Sequence, residues 1–92
     1  MKYDLTVIVP VYNEEENMER LEKELKKFLG LALKKTKILF VNDGSKDNSL
    51  ALIESICKAN EDFHFISWTS FIITILARKT IHANNNSNTI LI

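Results

Sequence analysis

Leu5-Thr6-Val7-Ile8-Val9-Pro10-Val11, running straight into Tyr12-Asn13-Glu14-Glu15-Glu16, is the stretch on which the fold turns. Its first seven residues are apolar or β-branched with almost no polar alternation, the pattern of a strand covered on both faces in a parallel sheet. Proline has no amide hydrogen for a ladder, so Pro10 is expected at the end of that strand, where a loop begins. Asn13 is then placed to cap a helix starting at Glu14, with Glu16 at the third helical position reaching back as in a capping box. Met18, Leu21, Leu25, Phe28 and Leu29 follow at spacings of three and four and form one stripe facing the sheet. Glu14, Glu15, Glu16 and Glu19 crowd the start of the helix and Lys23, Lys26 and Lys27 its end, which suits the helix dipole, and Gly30 is a natural stop.

Outward from that helix the pattern repeats. Lys37-Ile38-Leu39-Phe40-Val41-Asn42 reads as a second short strand, ended by the turn sequence Asp43-Gly44-Ser45. Leu50, Ile53, Ile56 and Cys57 recur at helical spacing up to about Lys58, with Asp47 or Asn48 available to cap. Phe63-His64-Phe65-Ile66-Ser67 reads as a third strand. Strand-helix alternation with right-handed crossovers predicts an α/β, Rossmann-like parallel sheet of order β-α-β-α-β.

Composition narrows the function. At 92 residues the chain holds one small domain. A domain of this size buries roughly 60% of its unfolded surface, enough for one modest core. Twelve bases balance twelve acids, which argues against non-specific adhesion to nucleic acid or anionic lipid, so no nucleic-acid partner is expected. A lone Cys57 excludes an internal disulfide framework and fits a reducing compartment. The N-terminus shows no secretory signal, and the longest apolar run, Phe65 to Ala77, is far shorter than the ~20 apolar residues a bilayer needs, so a cytoplasmic location is expected.

The charges are uneven. All 12 acids and ten of the 12 bases lie at or before Asp62, a net of −2, and only Arg78 and Lys79 follow. Everything after Asp62 holds seven Ile, four Thr and Asn84-Asn85-Asn86-Ser87-Asn88, with no Gly or Pro to punctuate it. Two readings stand: an edge strand with a disordered Asn-rich tail, or sequence foreign to this fold, produced by frameshift or truncation. The expected organisation is therefore a folded α/β unit over residues 1–67 and an atypical tail, non-native or disordered, over 68–92.

Ligands of open parallel sheets bind beyond the carboxyl ends of the strands. Two motifs fall there: Pro10-Val11-Tyr12-Asn13-Glu14-Glu15-Glu16 and Asn42-Asp43-Gly44-Ser45-Lys46-Asp47. If the two strands are neighbours, a Tyr12 ring can stack on a flat base, the Asp43 carboxylate can accept from an imide or ribose hydroxyl, and Gly44 lets backbone approach the ligand. Each residue also has a plainer role. Asn13 and Glu16 are accounted for as caps, Glu14 by the helix dipole, Tyr12 as a half-buried loop aromatic, Asp43-Gly44-Ser45 as an ordinary turn, and Lys46 and Asp47 as solvated or capping groups. Neither a G-x-G-x-x-G nor a G-x-x-x-x-G-K-[ST] loop is present, which weakens the dehydrogenase and P-loop alternatives. His64 and His82 have no partner at metal-ligand spacing, Cys57 falls on an apolar helix face, and no nucleophile-base set shares an edge.

Val7-Ile8-Val9-Pro10-Val11-Tyr12-Asn13-Glu14-Glu15-Glu16-Asn17 and, one helix later, Ile38-Leu39-Phe40-Val41-Asn42-Asp43-Gly44-Ser45-Lys46-Asp47 together closely resemble the beginning of family 2 glycosyltransferases. With Asn42 in place of a first Asp, they look most like the branch that moves a sugar from a nucleotide donor to a polyprenyl phosphate, such as dolichyl-phosphate or bactoprenol sugar synthases. The resemblance covers about residues 3 to 67 and implies the N-terminal, nucleotide-binding part of a GT-A fold. It implies a UDP- or GDP-linked sugar held by residues matching Pro10, Tyr12, Glu14 and Asp43, and a polyprenyl phosphate acceptor at the cytoplasmic face of the membrane in the full-length family. It also implies Mg²⁺ or Mn²⁺ at a later D-x-D motif and a later catalytic base. This chain contains neither, so it is expected to be inactive alone and to offer no ligand for the metal. After Ser67 the branch's Arg-Asn-x-Gly-Lys segment is replaced by Trp68-Thr69-Ser70-Phe71, at the same point where the composition breaks. The competing readings are a non-catalytic α/β interaction or regulatory module that uses the Phe65 to Ala77 patch, and, far behind it, a receiver-like phosphoacceptor domain, whose third strand should end in an acceptor Asp where Ile66-Ser67 stands.

Overall fold

A computed structural model describes residues 3–68 and 89–92 of the chain. Four parallel strands form one sheet in the order β3-β2-β1-β4. They are β1 (Leu5–Val11), β2 (Thr36–Asp43), β3 (Phe63–Trp68) and β4 (Thr89–Leu91), with helix α1 (Met18–Leu31) between β1 and β2 and α2 (Ser49–Ala59) between β2 and β3. The expected β-α-β-α-β order is thus present, with a fourth strand added outside β1.

Alternation along the strands puts Val7, Val9 and Val11 of β1 on the same face as Ile38 and Phe40 of β2. These residues join Phe63, Met18 and Leu25 of α1, and Ile53 and Ile56 of α2 in one buried cluster. Both described helices therefore pack on one face of the sheet, the result of two successive right-handed crossovers in the same direction. The expected cover on both faces is met by described helices on that face alone, although Ile8, which points to the other, is also buried. The Phe40 and Phe63 rings meet in a tilted pair with centroids 5.9 Å apart inside the cluster. Cys57 packs against the cluster's edge, and burial pushes its thiol up to about 11, which suits the core role read for it.

Three local expectations are corrected. The first helix does not start at Glu14: residues Glu15–Asn17 form a single 3₁₀ turn and α1 begins at Met18. Gly30 does not stop the helix, which runs on to Leu31 with the Ala32 N–H donating to the Leu29 carbonyl at 3.4 Å. Pro10 lies one residue inside the end of β1, opposite Val41. The β1 groups facing β4 alternate, and the last of these bonds runs from the Ile92 N–H to the Ile8 carbonyl at 2.9 Å. The next β1 donor position toward that strand is Pro10, which has no hydrogen to give, and β4 ends there at Leu91.

At the amino ends of the strands, the Tyr3 hydroxyl donates to Asp62 at 3.1 Å and Lys35 pairs with the same carboxylate at 3.2 Å. Beyond Trp68 the Phe65 to Ala77 patch lies outside the described residues, as does the Asn84 to Asn88 run. The three residues of β4 pair with Thr6, Val7 and Ile8, so an edge strand forms at the end of the tail, after the Asn-rich run. Among the described residues no helix is long and apolar enough to cross a membrane.

Candidate nucleotide-binding edge

The parallel register of β1 and β2 sets Pro10 opposite Val41 and Val11 opposite Asn42. Tyr12 follows β1 directly and Asp43 is the last residue of β2, so the two motifs leave the sheet side by side. Asp43 is flanked on its other side by β3, where its register partner is Trp68. The Tyr12 side chain is 53% exposed. It is a large aromatic left at the rim of the sheet, where most rings of its size are covered.

Two loops in this position are held together by more than proximity. The Asn13 N–H donates to Ser45 Oγ at 3.0 Å and the Lys46 N–H donates to Asn13 Oδ1 at 2.8 Å, so one residue of the first loop is bonded twice to the second. The Glu14 N–H donates to Ser49 Oγ at 2.8 Å and the Glu15 N–H to Asp47 Oδ2 at 3.2 Å. Ser49 is fully buried, so its bond to Glu14 is shielded from water. The amides of 13, 14 and 15, which would be the unpaired donors of a helix starting at Glu14, are thus taken up by side chains of the second loop. This is the physical reason that α1 begins late.

Asn13 is consequently not a cap. Its backbone is left-handed, φ 49°. Asn tolerates that conformation better than most residues, and its side chain faces Lys46 rather than the first turn of a helix. Glu16 has no capping box to complete. Gly44 is also left-handed, φ 72°. Its place in the turn after β2 requires that freedom. Of the two candidate caps for α2, Asp47 takes the role: its Oδ1 accepts from the Ser49 N–H at 2.9 Å, while Asn48 makes no side-chain cap bond. Desolvation pushes the Asp47 carboxyl up, but donors from Ser49 and the Glu15 amide outweigh it and hold the group below the usual carboxylate range.

Asn42, the branch marker of the resemblance, has a physical task in the fold. It is buried, its Nδ2 donates to Ser67 Oγ at 3.0 Å and its Oδ1 accepts from the Ser45 N–H at 3.3 Å. A neutral amide does both at once. A carboxylate would lack the donor and bury a charge. The sequence signal for this role is a polar residue at a helix-facing position of a strand, in phase with Ile38 and Phe40.

The four predicted site residues fall into two groups. Tyr12 and Asp43 occupy the tips of β1 and β2. Pro10 and Glu14 line a cleft of about 290 Å³ on the other side of the β1 tip, shared with Asn17, Arg20, Leu21 and Ile92 and not lined by Tyr12 or Asp43. Glu14 is half-buried there, and its Oε2 accepts from Asn17 Nδ2 at 2.8 Å. The tips of neighbouring strands thus carry an exposed aromatic residue, Tyr12, and an acidic one, Asp43, with Glu14 in the cleft beside β1. Among the described residues no three acids, histidines or cysteines stand close enough to hold a metal ion.

A model of glycosyl transferase family 2 matches residues 6–70. An uncharacterized glycosyltransferase of Synechocystis sp. is 33% identical over 67 residues, 73% of this chain and 21% of the relative. The poly-beta-1,6-N-acetyl-D-glucosamine synthase of Staphylococcus aureus is 40% identical over 62 residues, 67% of this chain and 14% of the relative. A prophage bactoprenol glucosyl transferase homolog of Escherichia coli is 36% identical over 52 residues, 56% of this chain and 17% of the relative. The chain thus spans from 14% to 21% of the length of these relatives. The matched residues contain β1 from Thr6 onward, α1, β2, α2 and β3 with both loops of the edge, and through them the chain belongs to glycosyl transferase family 2.

Proposed function

We propose that this chain binds the nucleotide end of a nucleoside diphosphate sugar, as the opening part of an enzyme that passes the sugar to an acceptor. The observation that carries the reading is the pairing of Val11 with Asn42, which brings Tyr12 and Asp43 out on adjoining strands with their loops bonded to each other. In this reading Tyr12 stacks on the base and Asp43 accepts from its imide or from a ribose hydroxyl, with Pro10 and Glu14 bounding the site on the β1 side. Residues 1–67 form the nucleotide-binding unit and 68–92 a tail. The end of the family match at residue 70, close to where the acids cease, supports that division.

A polyprenyl phosphate acceptor, met at the cytoplasmic face of a membrane, is supported by the likeness to the bactoprenol glucosyl transferase homolog and by Asn42. A divalent cation, which offsets charge on a departing diphosphate, enters with residues other than those described. The chain alone accordingly binds donor nucleotide without transferring sugar. Isothermal titration of the full chain with uridine diphosphate and guanosine diphosphate tests the reading. One of the two should bind, and Tyr12→Ala or Asp43→Ala should weaken that binding by about tenfold or more, the loss of one stacking or charged contact. Absence of binding to a folded wild-type chain would contradict it.

A further inference from the structure

Glu14 is fixed at two levels. Its backbone N–H is tied to the buried Ser49 hydroxyl, and its carboxylate accepts from Asn17 Nδ2 at 2.8 Å. Asn17 is held in turn: its Oδ1 accepts from the Arg20 guanidinium at 3.3 Å. All three side chains line the cleft that Pro10 also borders. Asn17 occupies the N-cap position of α1, where Asn normally gives its side-chain oxygen to an amide of the first helical turn. Here it makes no capping bond, and its two polar atoms serve Glu14 and Arg20 instead. A residue type suited to stabilising the helix is thus turned toward the one predicted site carboxylate beside it.

We infer that Asn17, oriented by Arg20, is a positioning residue that holds the Glu14 carboxylate at the rim of the Pro10 cleft in the rotamer that meets the nucleotide. The inference rests on the nucleotide reading above. A carboxylate on a flexible two-carbon stem samples several rotamers in water, and one held in advance loses less freedom when a ligand arrives. The effect is on affinity and not on folding, because Asn17 and Arg20 are exposed.

A double-mutant cycle on the full chain tests this, titrating whichever of uridine or guanosine diphosphate the wild type binds. Asn17→Ala should weaken binding by about three- to tenfold, the range of one hydrogen bond to a charged group acting through its partner, and should have no further effect when Glu14→Ala is already present. A purely structural role for Asn17 gives the same loss in both backgrounds, and that additive outcome overturns the inference. Asn17→Asp keeps the acceptor for Arg20, removes the donor and sets a second charge against Glu14, so it should weaken binding at least as much at an unchanged thermal midpoint. Wild-type affinity in Asn17→Asp would also overturn the inference. If the wild type binds neither nucleotide, the nucleotide reading itself falls and this inference with it, a result distinct from a wild type that binds while the cycle is additive.

Discussion

Asn13 shows how a single residue couples two loops. Its left-handed backbone, which Asn tolerates, is held where the N–H reaches Ser45 and the Oδ1 reaches the Lys46 amide. Asn13→Ala removes the acceptor and leaves a Cβ residue with no local compensation in the left-handed region, which alone costs about 1 to 2 kcal/mol. Asn13→Gly keeps the backbone at ease and loses only the acceptor, so chemical denaturation should rank wild type above Asn13→Gly above Asn13→Ala. Asp47 acts on the same joint through its charge. Its folded carboxyl lies below the usual 3.8, so its contribution is present above that pH and is lost as pH falls through the lower, folded value. Thermal midpoints measured from about pH 5 downward should therefore fall below about pH 4 in the wild type, and Asp47→Asn should flatten part of that fall. These roles were only partly legible in the sequence. Asp47 was one of two candidate caps, but Asn13 followed by three glutamates reads as a capping box because the pattern is local. The partners that redirect Asn13 lie more than thirty residues away.

At the scale of elements, the apolar periods were decisive. Met18, Leu25, Ile53 and Ile56 all reach the core, as their spacing requires, and the strands fall where β-branched and aromatic residues cluster. Boundaries were less legible, because they depend on what caps the ends. Gly30 is the clearest case: its type signals a stop, yet it sits inside α1 with a negative φ, and a Cβ added there would meet nothing within 4 Å. Gly30→Ala should consequently stabilise the chain by about 0.5 to 1 kcal/mol, since alanine loses less backbone freedom in a helix and here gains no clash. A urea titration showing a higher midpoint at constant slope would bear this out, and a lower midpoint would mean that α1 does end before residue 30 in solution. β4 was the least legible strand. Thr89, Ile90 and Leu91 follow a polar Asn-rich run that carries no turn signal, and their pairing with β1 is set by the sheet rather than by local pattern.

Across the whole molecule, parallel pairing in the order β3-β2-β1-β4 makes one edge of the sheet a meeting point for residues far apart in sequence. The family match covers both loops that form it, whereas the chain spans about a fifth or less of the relatives named above, and the proposed function assigns donor recognition to this edge. The measurement that tests this most directly is a titration of the ¹⁵N-labelled chain with uridine diphosphate and guanosine diphosphate, following amide resonances residue by residue. Tyr12, Asp43 and Gly44 should shift together with one dissociation constant, while the Tyr3, Lys35 and Asp62 amides at the opposite end of the strands stay still. Shifts confined to that opposite end, or Tyr12 and Asp43 responding with different constants, would contradict it.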